Sequence, residues 1–370
     1  MGTEIRTTDD GLRHRRDLAV NGHVVSHLTV LDRSTWMLGA TVSFGGIAGV
    51  HTEPQHRMKG YSRLVMEDSV QYMTDRGFEV SILFGIRDFY NKFGYLPCLP
   101  DYCMTIETRN AERAARDVGG FTTRPFDEAD VPFSVELYDE DNRYRPGARV
   151  RGGSDFNGFH RGTRYDTPVD GLVLQGADNR RVGYAIWDRS TTDVKVVEVN
   201  AYDRRAFPAA LYAFARMAID QRCGQIELHM PPDHSFARFL TRYGCQAHTT
   251  FNRMGGGMMR ILNQDRLFAR LQPALQARAA SSALAGRGVD LRIETDLGTT
   301  EVALGESATD RSVCRVALPQ DRLIQLMTGY RWADDVLATE DGVEAEGEAS
   351  AVLSALFGGI LPFTWKADRF

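Results

Sequence analysis

Residues 49–62 read Gly49-Val50-His51-Thr52-Glu53-Pro54-Gln55-His56-Arg57-Met58-Lys59-Gly60-Tyr61-Ser62. The stretch runs from a strand through a tight turn into a helix, with Arg57-x-x-Gly60-x-Ser62 at the helix start. The first turn of a helix leaves backbone N–H groups unpaired, and the helix dipole adds positive potential there, so the junction can hold an anion. Glycine at position 60 lets the backbone come close to a pyrophosphate. An ordinary helix entry can carry the same short pattern, so the flanking elements decide. Downstream, Leu64, Val65, Val70 and Met73 recur at helical spacing between Gly60 and Arg76, and Gly77 closes the helix. A strand over 78–84 and a short helix over 88–93 follow, before Gly94-Tyr95. Upstream, 17–31 reads as two strands around an Asn21-Gly22 turn, and 36–51 as a Gly-rich β segment. Strands, helix, strand and short helix predict an α/β layer on a mixed sheet.

The 370 residues, 43% apolar and 25% charged, suit two or three globular domains. The net charge of −5 gives no basic excess for nucleic acid and favours cationic small substrates. No apolar run approaches the roughly 18 residues of a membrane span. Met1 to Asp10 is polar and lacks the apolar core of a secretory signal. Cys98, Cys103, Cys223, Cys245 and Cys314 are scattered without a metal-ligand spacing. They read as reduced structural thiols of a cytoplasmic protein with no metal centre. Arg13-His14-Arg15-Arg16 reads as a solvated basic segment.

Residues 112–120 turn polar and mark a boundary. Strands at 182–186 and 194–199, a helix at 208–221, a strand at 225–230 and a short helix at 234–243 then repeat the earlier order. FARFLTRYGC (236–245) echoes FYNKFGYLPC (89–98), a weak internal duplication. A third region starts near Met254. It has a helix at 265–272, an Ala/Arg/Ser linker at 277–288, strands at 289–294 and 313–318, and helices at 321–329 and 349–357. Gly255-Gly256-Gly257 reads as a turn, since no P-loop Lys-Ser/Thr follows.

Two of these motifs, in this order, resemble the GNAT superfamily of N-acetyltransferases. That superfamily carries Q/R-x-x-G-x-G/A at the strand-to-helix junction, matched here by Arg57 and Gly60, with Ser62 a departure. Further on it places a Tyr on a short segment ending F-G-Y/F, here Phe89-Tyr90-Asn91-Lys92-Phe93-Gly94-Tyr95. Over nearly its whole length the chain is similar to the Eis family. That likeness implies an N-terminal catalytic GNAT domain (1–108) and a degenerate GNAT-like domain (109–253), whose segment 200–206 has no glycine. It implies a C-terminal domain (254–370) like sterol carrier protein 2, ending in Phe. The implied fold class is α/β (α+β).

The resemblance also implies roles. Acetyl-CoA is the co-substrate, its pantetheine amides pairing with Val50, His51 and Thr52. Its pyrophosphate rests on the amides of Arg57, Met58, Lys59, Gly60, Tyr61, Ser62 and Arg63. Gly85 and Ile86 touch it across a splay between two strands. Tyr90 is the general acid and the main-chain carboxylate of Phe370 the general base. The acceptor is a small amine (an aminoglycoside, a polyamine or a lysine side chain) bound in a ternary complex within a homohexamer. His51, His56 and Glu53 are alternative bases, although such loop side chains are usually solvated. Family members wall the acceptor pocket with a strand and two helices, for which only residues 1–16 stand here. That implies a start downstream of the true one or a reduced wall. The competing reading is a non-enzymatic protein with a vestigial GNAT domain and an apolar ligand in its third domain.

Overall fold

The computed structural model describes residues 2–305 and 311–370. Strands β1 (Thr3–Asp10), β2 (Arg13–Val20), β3 (His23–Met37) and β4 (Ala40–Thr52) form an antiparallel meander. Asn21 and Gly22, both at positive φ, make the β2–β3 turn. Helix α1 (Tyr61–Asp75) crosses over to β5 (Val80–Gly85), parallel to β4. The chain continues through β6 (Leu96–Leu99), β7 (Asp101–Glu107), α2 (Thr108–Ala111), β8 (Thr122–Pro125) and α3 (Val131–Asn142). Next come β9 (Val169–Gln175), β10 (Arg181–Asp188) and β11 (Val194–Ala201), then α4 (Phe207–Asp220), which crosses to a parallel β12 (Gln225–Leu228). Helix α5 (Ser235–Leu240), β13 (Gln246–Thr250) and β14 (Gly256–Ile261) follow.

Two seven-stranded mixed sheets result, ordered β1-β2-β3-β4-β5-β14-β6 and β8-β9-β10-β11-β12-β7-β13. Their plans coincide: a meander, a helical crossover to a parallel strand, then two antiparallel strands. The sixth strand of each comes from outside its own run, since β14 follows the second unit and β7 precedes it. The two units therefore exchange strands, and β7 and β14 each cross a contiguous cut at 108 or 253.

The third unit has α6 (Gln264–Ala280), β15 (Gly288–Thr295), β16 (Gly298–Leu304), β17 (Arg311–Ala317), α7 (Gln320–Thr328), α8 (Ala333–Thr339), β18 (Glu344–Glu346) and α9 (Ala349–Leu356). Its sheet runs β16-β15-β17-β18. Its core is continuous with one face of the first sheet, where Phe44, Val80 and Ile82 join Leu267, Leu323 and Leu353. The other face buries Leu28, Val30, Ile47 and Leu83 against Val65, Met66 and Met73 of α1. Burial on both faces accounts for the apolar runs Phe44–Ile47 of β4 and Ile82–Phe84 of β5.

Several expectations need correction. Arg13-His14-Arg15-Arg16 is not a solvated run, because it lies in β2, where side chains alternate between faces. His14 and Arg16 are buried, Arg16 against Asp68 and over the Tyr72 ring, while Arg13 and Arg15 are exposed. Gly256 and Gly257 open β14 rather than forming a turn, and a Cβ on Gly257 would stand 2.6 Å from Leu99 Cβ. The expected linker begins inside α6, which continues through Pro273 to Ala280. The short helix at 88–93 is a 3-10 turn over Tyr90–Phe93. The polar start is strand β1, and β16 and α8 are elements beyond the expected ones.

Candidate active site

β4 and β5 are paired only over Phe44–Ile47 and Val80–Leu83. Beyond that, β4 runs on to Thr52 and β5 to Gly85, and the two part. The cause lies on the other edge of β4. Thr29 faces Ala48 but His27 faces His51, so one extra residue is taken up at Gly49–Val50 opposite Leu28. Gly49 sits at φ 60, as the first residue of a glycine bulge does, and such bulges bend the strand. Val50, His51 and Thr52 line the parted edge, where no strand among the described residues pairs them on the β5 side.

The turn that follows is strongly bent. A 3-10 turn (Pro54–His56) leads to Met58 at φ 62 and Gly60 at φ 80. Gly60 is the N-cap of α1, no side chain caps the helix, and its first turn has no acidic residue. The first-turn N–H groups of Tyr61, Ser62 and Arg63 are thus left for an incoming anion. Arg57 Nε donates to the Thr52 carbonyl at 3.3 Å and ties the turn together. Arg57 and Lys59 have no carboxylate partner among the described residues, whereas Arg63 pairs with Glu67 at 2.7 Å. Met58 is fully exposed and Ile86 largely so.

Tyr90 lies on the α1 side of the first sheet, in the cluster with Leu83, Val65 and Phe93. Its ring occupies the space that a Cβ on Gly85 would need, and Phe89 meets it edge-on at 4.9 Å. Among the described residues nothing hydrogen-bonds its hydroxyl. Burial pushes the Tyr90 pKa above its ordinary value.

Phe370 lies on the opposite face. Its ring stacks on Phe44 at 6.0 Å, meets Phe84 edge-on at 5.6 Å and lies under the Arg33 guanidinium at 5.5 Å. A Cβ on Gly46 would fall 2.7 Å from the ring. Each candidate catalytic residue therefore rests against a bare glycine of a parting strand, Tyr90 at Gly85 and Phe370 at Gly46. The tail is held by the second unit. Trp365 Nε1 donates to Asn142 at 2.8 Å, and Lys366 and Arg369 pair with Asp101 at 2.7 and 2.8 Å. Buried Asp368 accepts from Arg151 at 2.9 Å and from the Tyr138 hydroxyl at 3.1 Å. Arg151 also forks onto Glu198 of β11 at 2.8 and 2.7 Å. A cleft of about 520 Å³ opens beside Phe370, floored by β2, β3 and the Ala48-Gly49 bend and walled by residues 149–165.

The second unit lacks these features. β11 and β12 also part after Val196 and Leu228, but β11 continues there with buried Glu198 and Asn200, Glu198 paired to buried Arg151. In the echoing segment Ala237 stands where the first unit has Tyr90. His51 lies in the parted end of β4 and Glu53 and His56 in the turn after it, His51 3.9 Å from Glu53, and neither the Tyr90 nor the Phe370 contacts include them. One grouping has no trace in sequence spacing: Cys103, Glu227 and His229 present their ligand atoms within 4.8 Å of one another. Burial first, then Lys366 and Arg369, push the His229 pKa down to about 4. The third unit holds an apolar cleft of about 450 Å³ lined by Leu326, Trp332, Phe357 and Ile360.

Solved structures share this architecture along the chain. A GCN5-related N-acetyltransferase from Kribbella flavida is 20% identical, with a TM-score of 0.69 over 96% of this chain and 87% of that one. A probable N-acyltransferase from Enterococcus faecalis is 15% identical, with a TM-score of 0.74 over 97% and 90%. Eis1 from Mycobacterium abscessus is 17% identical, with a TM-score of 0.68 over all of both chains. At these identities the likeness is one of fold. No curated protein sequence matches the chain. Residues 12–98 match the acetyltransferase (GNAT) domain family. That match spans the stretch that builds the parted sheet and the α1 turn, which therefore has the fold of a GNAT acetyltransferase domain.

Proposed function

We propose that the chain moves an acetyl group from acetyl-CoA to a primary amine. The observation that carries this reading is the parting of β4 and β5 between Tyr90 on one face and Phe370 on the other. The α1 turn suits a pyrophosphate, and the free peptide edge at Val50–Thr52 suits the amides of a pantetheine arm; on this reading the thioester lies in the gap. The amine reaches it from the Phe370 face, and the terminal carboxylate takes the ammonium proton. The amine nitrogen bonds to the thioester carbon and the carbon–sulfur bond breaks. Tyr90 returns a proton to the departing thiolate, whose free-thiol pKa is about 8.5. The products are an amide and free CoA thiol. Holding both reactants in line lowers the barrier by replacing a bimolecular encounter.

The test is release of CoA thiol from acetyl-CoA with a panel of amines, with the acetylated amine identified by mass. Thiol release that requires an amine is expected. Tight acetyl-CoA binding with no turnover on any amine would overturn the reading.

The cofactor turn has its own test. Gly60 holds φ 80, and a Cβ there would meet no protein atom within 4 Å. A valine therefore meets no packing clash and is opposed by backbone strain of about 1–2 kcal/mol and by the ligand itself. Gly60→Val is expected to weaken acetyl-CoA binding roughly tenfold or more at about 1.4 kcal/mol per decade. Calorimetry should find this with the fold retained and the melting temperature lowered by no more than about a few degrees, and wild-type affinity would remove the turn from cofactor binding.

A further inference from the structure

The cleft beside Phe370 has a charge opposite to that of the whole protein. Arg13, Arg33, Arg149, Arg161 and Arg369 line it, against Asp155, Asp368 and Phe370, whose main-chain carboxylate the acetyl-transfer reading uses as the base. The two aspartate side chains are already committed. Asp155 pairs with Arg33 at 3.1 Å and with Arg149. Asp368 is fully buried and held by Arg151 at 2.9 Å. Arg369 has its partner outside the cleft, in Asp101 at 2.8 Å. Arg13 and Arg161 have no carboxylate partner among the described residues. Arg161 is half-buried over the Tyr165 ring at 4.9 Å, and its Nε is shielded from solvent without a hydrogen-bond acceptor. Burial holds its pKa below the usual arginine value, with the Arg369 charge acting in the same direction. Shielding an unpaired cation is unfavourable, so such a group is poised for an anion.

We propose that the acceptor is an amine that also carries an anionic group, a carboxylate or a phosphate, which Arg161 and Arg13 bind while the amine faces Phe370. The inference rests on the acetyl-transfer reading and narrows its substrate class. One carboxylate, the chain terminus, is left to meet one ammonium. Any second cation on the acceptor, as in a polyamine or an aminoglycoside, would meet guanidinium groups instead. A cleft of about 520 Å³ also limits the acceptor to a small molecule.

The experiment uses matched amines with acetyl-CoA: ethanolamine against phosphoethanolamine, propylamine against β-alanine, and spermidine as the polycation. Thiol release and calorimetric binding are measured on the full chain and on Arg161→Gln, with Arg13→Gln as a second variant. The anionic member of each pair is expected to have the lower KM. Arg161→Gln should raise that KM by about 10- to 100-fold, as for the loss of one charge-assisted hydrogen bond, with acetyl-CoA affinity unchanged. If the phosphate amine responds and the carboxylate does not, the anion is a phosphate, and the converse assigns a carboxylate. Preferred turnover of spermidine, or an Arg161→Gln KM equal to wild type for both anionic amines, overturns the inference and leaves acetyl transfer standing. If no amine turns over, the binding arm still decides. Anionic amines that bind the wild type and not Arg161→Gln support the cleft assignment while acetyl transfer fails. Absence of binding overturns both.

Discussion

A single glycine appended after Phe370 is expected to cut kcat by roughly 10²–10⁴-fold, the usual contribution of a positioned general base. The added residue converts the Phe370 carboxylate to an amide, which cannot take a proton from an ammonium, and moves the new carboxylate one residue away. The fold has little reason to change. The tail is anchored upstream by Trp365 on Asn142, by Lys366 and Arg369 on Asp101, and by Asp368 on Arg151 and Tyr138. The ring keeps its seat between Phe44 and Phe84. Melting temperature and acetyl-CoA affinity should therefore match the native chain within error. Gly46→Ala makes a companion variant, because its methyl group would stand 2.7 Å from the Phe370 ring and displace the terminus without altering its chemistry. Undiminished turnover in the extended chain would take Phe370 out of the mechanism and return the base to His51, Glu53 or a bound water.

Tyr90→Phe should lower kcat by a similar factor, about 10²–10⁴, while leaving acetyl-CoA affinity alone. The substitution keeps the ring against Gly85 and Phe89 and removes only the hydroxyl. A pH profile adds a second readout. An unperturbed tyrosine titrates near 10, and burial raises Tyr90 above its ordinary value. A raised pKa keeps the phenol protonated, so the donor is present through neutral and mildly alkaline pH. Its loss should appear as a fall in kcat only above about pH 10. Full turnover of Tyr90→Phe at saturating substrates would make Tyr90 a packing residue of its 3-10 turn.

Much of the first unit was legible because its signals are local. Asn21-Gly22 makes the expected hairpin turn, α1 begins directly after Gly60 as its spacing indicates, and Gly77 closes it at φ 81. Each of these depends on a few neighbouring residues. The candidate site was legible for the same reason up to the turn and the Tyr90 segment. The bulge at Gly49–Val50, which opens the gap, was not, because it exists only in the register of β4 against β3. The charge of residues 13–16 suggests a solvated segment, but strand alternation overrides it. In β2 alternate residues face the core, and Arg16 goes in with Asp68 as its partner. The net charge of −5 pointed to cationic substrates, yet the cleft beside Phe370 is rich in arginine. Net charge sums over the surface, whereas a cleft responds to the few groups that line it.

By itself, the sequence determined the kind of elements present, the crossover from β4 through α1 to β5, and the motif residues from Arg57 to Ser62 and at Tyr90. Periodicity and turn chemistry act within a few residues, so they can be read along the chain. Tertiary structure alone decided which sheet receives β7 and β14, how Asp368 and Arg151 hold the tail, and that Phe370 arrives at Gly46. A period of two marks a strand but does not choose its partner. That choice depends on packing among segments far apart in sequence, as when β14 inserts between β5 and β6 or Trp365, Lys366 and Asp368 anchor the tail on the second unit.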